Sequence, residues 1–504
     1  MTGDSIEKLY KYYGILADAG DNIVKHEDLY SEIIQAAKGD QSERRLACQF
    51  IPRFFIHFPN LGETALNSLF DLCEDPEISI RKQVIKELPH ICKQCTMFTK
   101  KTSYILSQLL QSKDLAELSI VSRSLLSLFQ IYPEGAVAGL FNQIRNGEDT
   151  VRDKCLSFLT NKVKSLPIAN LPKLEEALIT ETKSTFDEAS PEEIPIFMDI
   201  LFWTKLGKDV TGHTVIINMI AEQIESETPF NVHDDDLLER LVTLCKSVKP
   251  LFKPLTSPDR YVTYFCKEVL PNFKSISGYD ECSGYALELL QLFTELTVYC
   301  NKLNEPVIVV ESIFNLLIEV MPYSESGQDN FDDLKFHFSY IECLLYSLHK
   351  LFKLHPSFLS DDVELSKFRS RLQYFSRALQ GYIKTLHNAI KSESLDALKK
   401  PENAIKTLAL KTTLNINALI KDFFYNPPSN KATIQLSWLI PKACQNEKAI
   451  VRLKRMCNSL GVEIPAKRSN TLKPYRPIQR PLYQPPNGKY SKTFCNPKRN
   501  GPSL

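Results

Sequence analysis

His90-x-Cys92-x-x-Cys95 is the densest group of metal-binding side chains in the 504-residue sequence. A Cys-x-x-Cys supplies two thiolates to one side of a tetrahedral zinc ion, and completing the site needs a second pair at suitable spacing. No such pair follows. A thioredoxin-type redox role needs a βαβ setting, which the surrounding helical periodicity does not offer. The group reads as a helix end whose thiols pack inward. The phosphate-cradling G-x-x-x-x-G-K-[ST], the dinucleotide G-x-G-x-x-G, the nucleophile elbow G-x-S-x-G and the zinc-protease H-E-x-x-H are all missing from the sequence. His57, His213 and His349 stand singly, with no compelling acid or nucleophile beside them. The residues point to no catalysis, no cofactor and no metal.

Two leucine patterns could instead bind partners. Leu365, Leu372, Leu379 and Leu386 recur every seven residues, with Phe368, Phe375, Tyr382 and Ala389 three after each. This is a regular a/d stripe over four heptads. Its aromatics suit packing between unlike helices of one chain better than a two-stranded zipper, so the stripe is expected to be core and the protein a monomer. Leu106-x-x-Leu109-Leu110 matches the L-x-x-L-L pattern read by nuclear receptors, but it falls inside a repeat array where leucines should be buried.

The elements that position these groups follow from a repeat. Over Glu74–Pro89, Asp75 and Pro76 read as a helix N-cap and first helical residue, and Ile80, Val84, Ile85 and Leu88 form one buried stripe. Arg81, Val84, Leu88 and Pro89 align with Arg44, Ala47, Ile51 and Pro52, each 37 residues earlier. Arg152, Cys155 and Leu159 repeat the pattern after Glu148 and Asp149. Between them Asp114 precedes Leu118, Val121 and Leu125, which keep the apolar spacing and lose the arginine. An acid, then an arginine, then a small residue three further on marks HEAT-type helix pairs, and the array predicts an all-α solenoid. Arg81 and Arg152 are expected near helix starts, each reaching an acid in a neighbouring repeat's loop as an exposed pair.

The totals agree with such a body. Apolar residues make up 43% and glycines number only 17. Thirteen cysteines lie scattered in helical stripes, an odd count without a framework, as for reduced thiols inside a cell. The N-terminus is too polar for a signal peptide, and no run of about 20 apolar residues could span a membrane. Net charge is +1, but the first 463 residues carry about −8 and the remainder +9. From Pro465 the chain has eight prolines, nine basic residues and no acid, a composition expected to be disordered. Helical segments are expected at about 284–300, 305–321, 334–354, 361–392 and 401–424, with an acidic loop at Tyr323–Asp333.

Long ungapped blocks resemble the apoptosis inhibitor 5 family, also called antiapoptosis clone 11. They include L-Y-K-Y-Y-G-I-L-A-D-A at 9–19, R-R-L-A-C-Q-F-I-P-R-F-F at 44–55, Y-V-T-Y-F-C-K-E-V-L-P-N at 261–272 and F-S-Y-I-E-C-L-L-Y-S at 338–347. The resemblance implies a HEAT-like N-terminal half and an armadillo-like C-terminal half, which the break near 207–213 divides into 1–206 and 207–435; the residues add a linker at 436–463 and a disordered basic Pro-rich tail at 464–504. It implies a nuclear scaffold, also cytoplasmic in part, that binds protein partners through solenoid surfaces and negatively regulates apoptosis. The family's leucine zipper falls on the 365–386 heptads. Its acidic stretch, implicated in binding a basic growth factor, falls on Asp187, Glu188, Glu192 and Glu193; a chromatin-condensation factor is a second partner by resemblance. In the tail, Lys467, Arg468, Lys473, Pro474 and Tyr475 resemble the signal bound by transportin-type nuclear import receptors. The alternative reading is a nucleic-acid-associated factor, in RNA binding or messenger RNA export, using the tail's cations and aromatics. The glycine-arginine-rich tail common in animal members is missing.

Overall fold

A computed structural model of the protein describes residues 2–167, 171–226, 228–278, 283–321, 337–355, 358, 362–391, 401–425 and 427–439. The helices in chain order are α1 (Thr2–Asp18), α2 (Glu27–Gln35), α3 (Gln41–Phe54), α4 (Gly62–Leu72), α5 (Ile78–Gln94), α6 (Thr99–Gln108) and α7 (Leu115–Ile131). Then follow α8 (Pro133–Asn146), α9 (Asp149–Asn161), α10 (Pro172–Thr185), α11 (Ile194–Trp203), α12 (Val210–Ser226), α13 (Asp235–Val248) and α14 (Asp259–Tyr264). The last are α15 (Phe273–Gly278), α16 (Ser283–Thr297), α17 (Pro306–Val320), α18 (Phe338–Leu351), α19 (Asp362–Lys391) and α20 (Pro401–Phe423). Among the described residues there is no β-strand, only an isolated bridge between Lys253 and Thr256. No described helix is long and apolar enough to cross a membrane.

Side by side in one layer run α3, α5 and α7, then α9, α11, α13, α16, α18 and α20. Phe129 of α7 meets Phe158 of α9 at 6.2 Å between ring centres, carrying the layer across that seam. In the second layer α6, α8 and α10 pack in sequence. α6 and α8 cross closely. A Cβ added to Gly139 would lie 2.4 Å from the Lys100 carbonyl oxygen, and the Ser103 hydroxyl donates to the Ala136 carbonyl at 2.6 Å. The buried apolar residues form one cluster from Leu9 to Leu436, the continuous core of an α-solenoid.

The repeat positions set the local detail. Ile80, Val84, Ile85 and Leu88 are at most 1% exposed, so the stripe is core. Pro52 and Pro89 sit inside α3 and α5 at equivalent places. Proline has no N–H to give, which leaves the carbonyl four residues earlier without its helical partner. For Pro89 that carbonyl belongs to Ile85, and Ser124 of the next repeat donates to it at 2.8 Å. Side chains cap several helices. Asp40 makes a capping box with Glu43 on α3, Asp114 caps α7 and Asp234 caps α13.

Two local expectations need correction. Asp75 does not cap α5. The helix starts at Ile78 with Glu77 at its cap, while Asp75 is 5% exposed and accepts the Glu77 N–H. After α14 the coil widens to a π-helical turn at Phe265–Val269, which re-aims the chain before α15. The five later helical segments lie where the periodicity put them. Residues 427–439 form an extended strap packed on the body, so Leu436, Ser437 and Trp438 are body rather than linker.

Candidate functional site

The metal-like motif comes apart in three dimensions. Cys92 is fully buried, and burial pushes its thiol up. Cys95 is half-buried, and His90 is exposed and bonded to Gln94 at 3.1 Å. No group of three or more His, Cys, Asp or Glu among the described residues is placed to hold a metal ion. Burial pushes the Cys73, Cys155 and Cys245 thiols up to about 12, well away from thiolate chemistry.

The repeat arginines instead form a ladder. Arg44 Nε meets Asp75 Oδ2 at 2.6 Å, Arg81 Nη2 meets Glu117 Oε2 at 2.8 Å, and Arg152 Nε meets Glu193 Oε1 at 2.6 Å. Each arginine also binds a carbonyl: Arg44 that of Gly39, Arg81 that of Asp75, and Arg152 that of Glu188. Each link ties one repeat to the next. The acids' side chains are only 3%, 4% and 12% exposed, so these are not the exposed pairs expected from sequence. Glu117 also lies in the first turn of α7 rather than in a loop. The Glu117 hydrogen bond raises the Arg81 value, and Glu193 does the same for Arg152. Burial alone would raise the Glu193 carboxyl, but Arg152 and the Ser190 N–H hold it below its ordinary value. Where Leu118 replaces the arginine, the corresponding link is absent.

The acidic cluster divides accordingly. Glu193 is turned inward as a rung of the ladder, which removes it from the surface. Asp187, Glu188 and Glu192 are exposed. Their loop is held from beneath. Arg240 of α13 donates to the Phe186, Asp187 and Ala189 carbonyls, and Gln223 donates to Asp187 Oδ1 at 2.6 Å. Arg240 thereby brings the start of α13 against the loop, with exposed Asp235, Asp236 and Glu239. Burial, with Glu239, Asp235 and Glu288 nearby, raises the Tyr285 phenol of α16. The second group was missed from sequence because it lies more than forty residues on; its signal is the Asp234-Asp235-Asp236 run.

The heptad leucines are core in the described helix: Leu365, Leu372, Leu379 and Leu386 are between 0% and 4% exposed. Phe368 meets Phe423 of α20 at 5.6 Å, and Phe375 meets Phe338 of α18 at 6.2 Å. Leu106 and Leu110 are buried and Leu109 half-buried, so the L-x-x-L-L motif faces the interior. Lys467, Arg468, Lys473, Pro474 and Tyr475, with the Tyr323–Asp333 loop, lie outside the described residues.

The strap is anchored by acids that sequence did not single out. Fully buried Glu342 accepts from Asn415 Nδ2 at 2.6 Å, Ser437 N at 3.1 Å and Ser437 Oγ at 2.6 Å, and its burial raises its carboxyl. Glu295 accepts from Trp438 Nε1 at 2.8 Å and pairs with Lys249. Asp422 accepts from the Lys431 and Ala432 N–H groups at 2.9 and 2.7 Å and bonds His349 Nε2 at 2.8 Å.

Comparison with known proteins gives this arrangement relatives. The family model described as Apoptosis inhibitory protein 5 matches residues 6–503. Apoptosis inhibitor 5 from Homo sapiens is 41% identical over 501 residues, covering 98% of this chain and 94% of that protein. The Mus musculus protein is 41% identical over 98% of both chains, and the Drosophila melanogaster homolog is 38% identical over 97% and 93%.

Proposed function

The chain belongs to the apoptosis inhibitory protein 5 family, and from that premise we propose that it is a nuclear, non-catalytic scaffold that restrains cell death by binding protein partners on its folded surface. The relatives' name supports negative regulation of apoptosis as its broad role. The observation that carries the finer reading is the clamped acidic loop. Arg152 and Arg240 fix the backbone of 186–193 from within, which leaves Asp187, Glu188 and Glu192 outward in a set geometry beside Asp235 and Asp236. A pre-positioned acidic face steers a basic partner, such as the growth factor implied by resemblance, and sets its orientation. Reversing Asp187, Glu188 and Glu192 to lysine in the full chain should abolish capture of a basic partner protein while the helix signal stays intact. Unchanged capture would refute this face.

The location follows from the tail's composition. It concentrates nine basic residues without an acid, whereas the first 463 residues carry about −8. Residues 464–504 fused to a cytoplasmic reporter should carry it into the nucleus. Replacing Lys467, Arg468 and Lys473 with alanine should stop that, and replacing Pro474 and Tyr475 should reveal the receptor class. Equal nuclear accumulation of a tail-less body would place the signal elsewhere. The same cations, interleaved with Tyr475, Tyr483 and Tyr490, favour RNA contact as the second reading, tested by loss of RNA association on tail deletion.

A further inference from the structure

We propose that the outward face of α3, α5 and α7 binds an extended acidic polypeptide segment, with carboxylates spaced about three residues apart. Positions i, i+4, i+8 and i+11 fall on one face of a helix. On α5 these are Lys82, Lys86, His90 and Lys93; the same places 37 residues earlier hold Arg45, Gln49 and Arg53, and 37 later Arg123. Because α3, α5 and α7 lie side by side, the repeat register stacks these cations into one patch. Arg45, Arg53, Lys86, Lys93 and Arg123 are all exposed. Lys82 meets Asp114 at 3.2 Å, and Arg45 reaches the Ser79 hydroxyl at 3.0 Å. Arg53, Lys86, Lys93 and Arg123 have no carboxylate partner among the described residues. Glu87, the acid next to Lys86, is half-buried and taken by Gln83.

A free basic patch on a body of about −8 is not a by-product of overall charge. The arginines of the ladder, by contrast, each have a carboxylate partner. The chemistry favours a peptide over nucleic acid. No aromatic side chain occupies the face positions, so bases have no platform to stack on. Of the remaining places, Gln49, Ser119, Ser127 and Gln130 can bond a peptide backbone, and exposed Ile56, just past α3, is the one apolar position. Packed helices stand about 8–10 Å apart, and an extended chain rises about 3.3 Å per residue. A strand crossing the three helices therefore meets a new row of cations about every third residue. This face is separate from the acidic loops and stands whether or not those bind a basic partner.

The test uses the full chain and a fluorescent peptide of repeated Glu-Gly-Ser carrying a photoreactive group. A variant with Lys86→Glu, Lys93→Glu and Arg123→Glu is compared with one of equal charge change placed elsewhere, Lys25→Glu, Lys100→Glu and Lys183→Glu. The face variant should bind the peptide about fivefold more weakly or worse than the control variant, since each exposed pair contributes modestly. Cross-links in the unsubstituted chain should fall within residues 45–123. The milder Lys86→Gln, Lys93→Gln and Arg123→Gln variant, with unchanged helix signal, should lose binding in the same direction. Equal binding by the two charge-reversed variants, cross-links confined to the tail, or loss of single-stranded RNA binding with the peptide unaffected would each overturn the proposal.

Discussion

Arg81 sits between two repeats with its guanidinium shared by Glu117 and the Asp75 carbonyl. Removing it leaves a carboxylate that is 4% exposed without its counter-charge. Arg81→Ala should therefore lower stability by about 3 kcal/mol. Deleting the exposed Lys101–Glu63 pair should cost no more than about 1 kcal/mol. Urea midpoints of the two single variants decide, and equal small losses would show that the ladder is decorative. The strap gives a pH prediction. Burial lowers the His349 value even though Asp422 pulls it the other way, so the unfolded state takes up that proton first. Its effect is a loss of stability as pH falls below the ordinary histidine range. Burial alone would raise Asp422, but His349 and the Ala432 and Lys431 N–H groups hold it low, and its contribution also disappears as pH falls. Glu342 acts oppositely, since burial raises its value and protonation favours the folded form. The Lys431 and Ala432 amides, bonded to Asp422 and remote from Glu342 along the strap, should lose hydrogen-exchange protection between about pH 7.5 and about pH 5.5. His349→Gln should flatten that change; an unaltered pH response in this variant would remove His349 from the account.

At the scale of the element, the helices were legible because a period of 37 residues repeats one apolar stripe, and every residue of that stripe in α5 is buried. The Asp75 error has a plain cause. Asp-Pro is a good helix start, but Arg44 of the preceding repeat draws Asp75 into the ladder, leaving Glu77 to bond the Ser79 N–H. A partner 31 residues away outweighed the local rule. The strap was unreadable for the same reason at longer range, since Ser437 and Glu342 are separated by 95 residues. Half of the acidic site was likewise legible as a cluster, but nothing in the spacing told that Glu193 would turn inward or that α13 would complete the surface. Val84→Asp belongs at this scale. It places an unpaired charge in a fully buried site and should abolish the cooperative melt of the N-terminal repeats. An unchanged melt would contradict the repeat alignment.

For the whole molecule, the heptad face is spent on α18 and α20, so it offers no seam to a second copy. Light scattering should report a monomer at micromolar concentration, and Leu379→Pro should cost solubility by breaking a buried helix. A dimer dissolved by leucine substitution without loss of helix signal would restore the zipper. The central claim is that cell survival depends on a folded solenoid presenting its surfaces to partners. It is tested most directly in stressed cells depleted of their own family member, with caspase activity as the readout. The full chain should suppress that activity, while Val84→Asp, shown unfolded by circular dichroism, and residues 464–504 alone should not. Equal protection by the unfolded variant or by the tail alone would contradict the account.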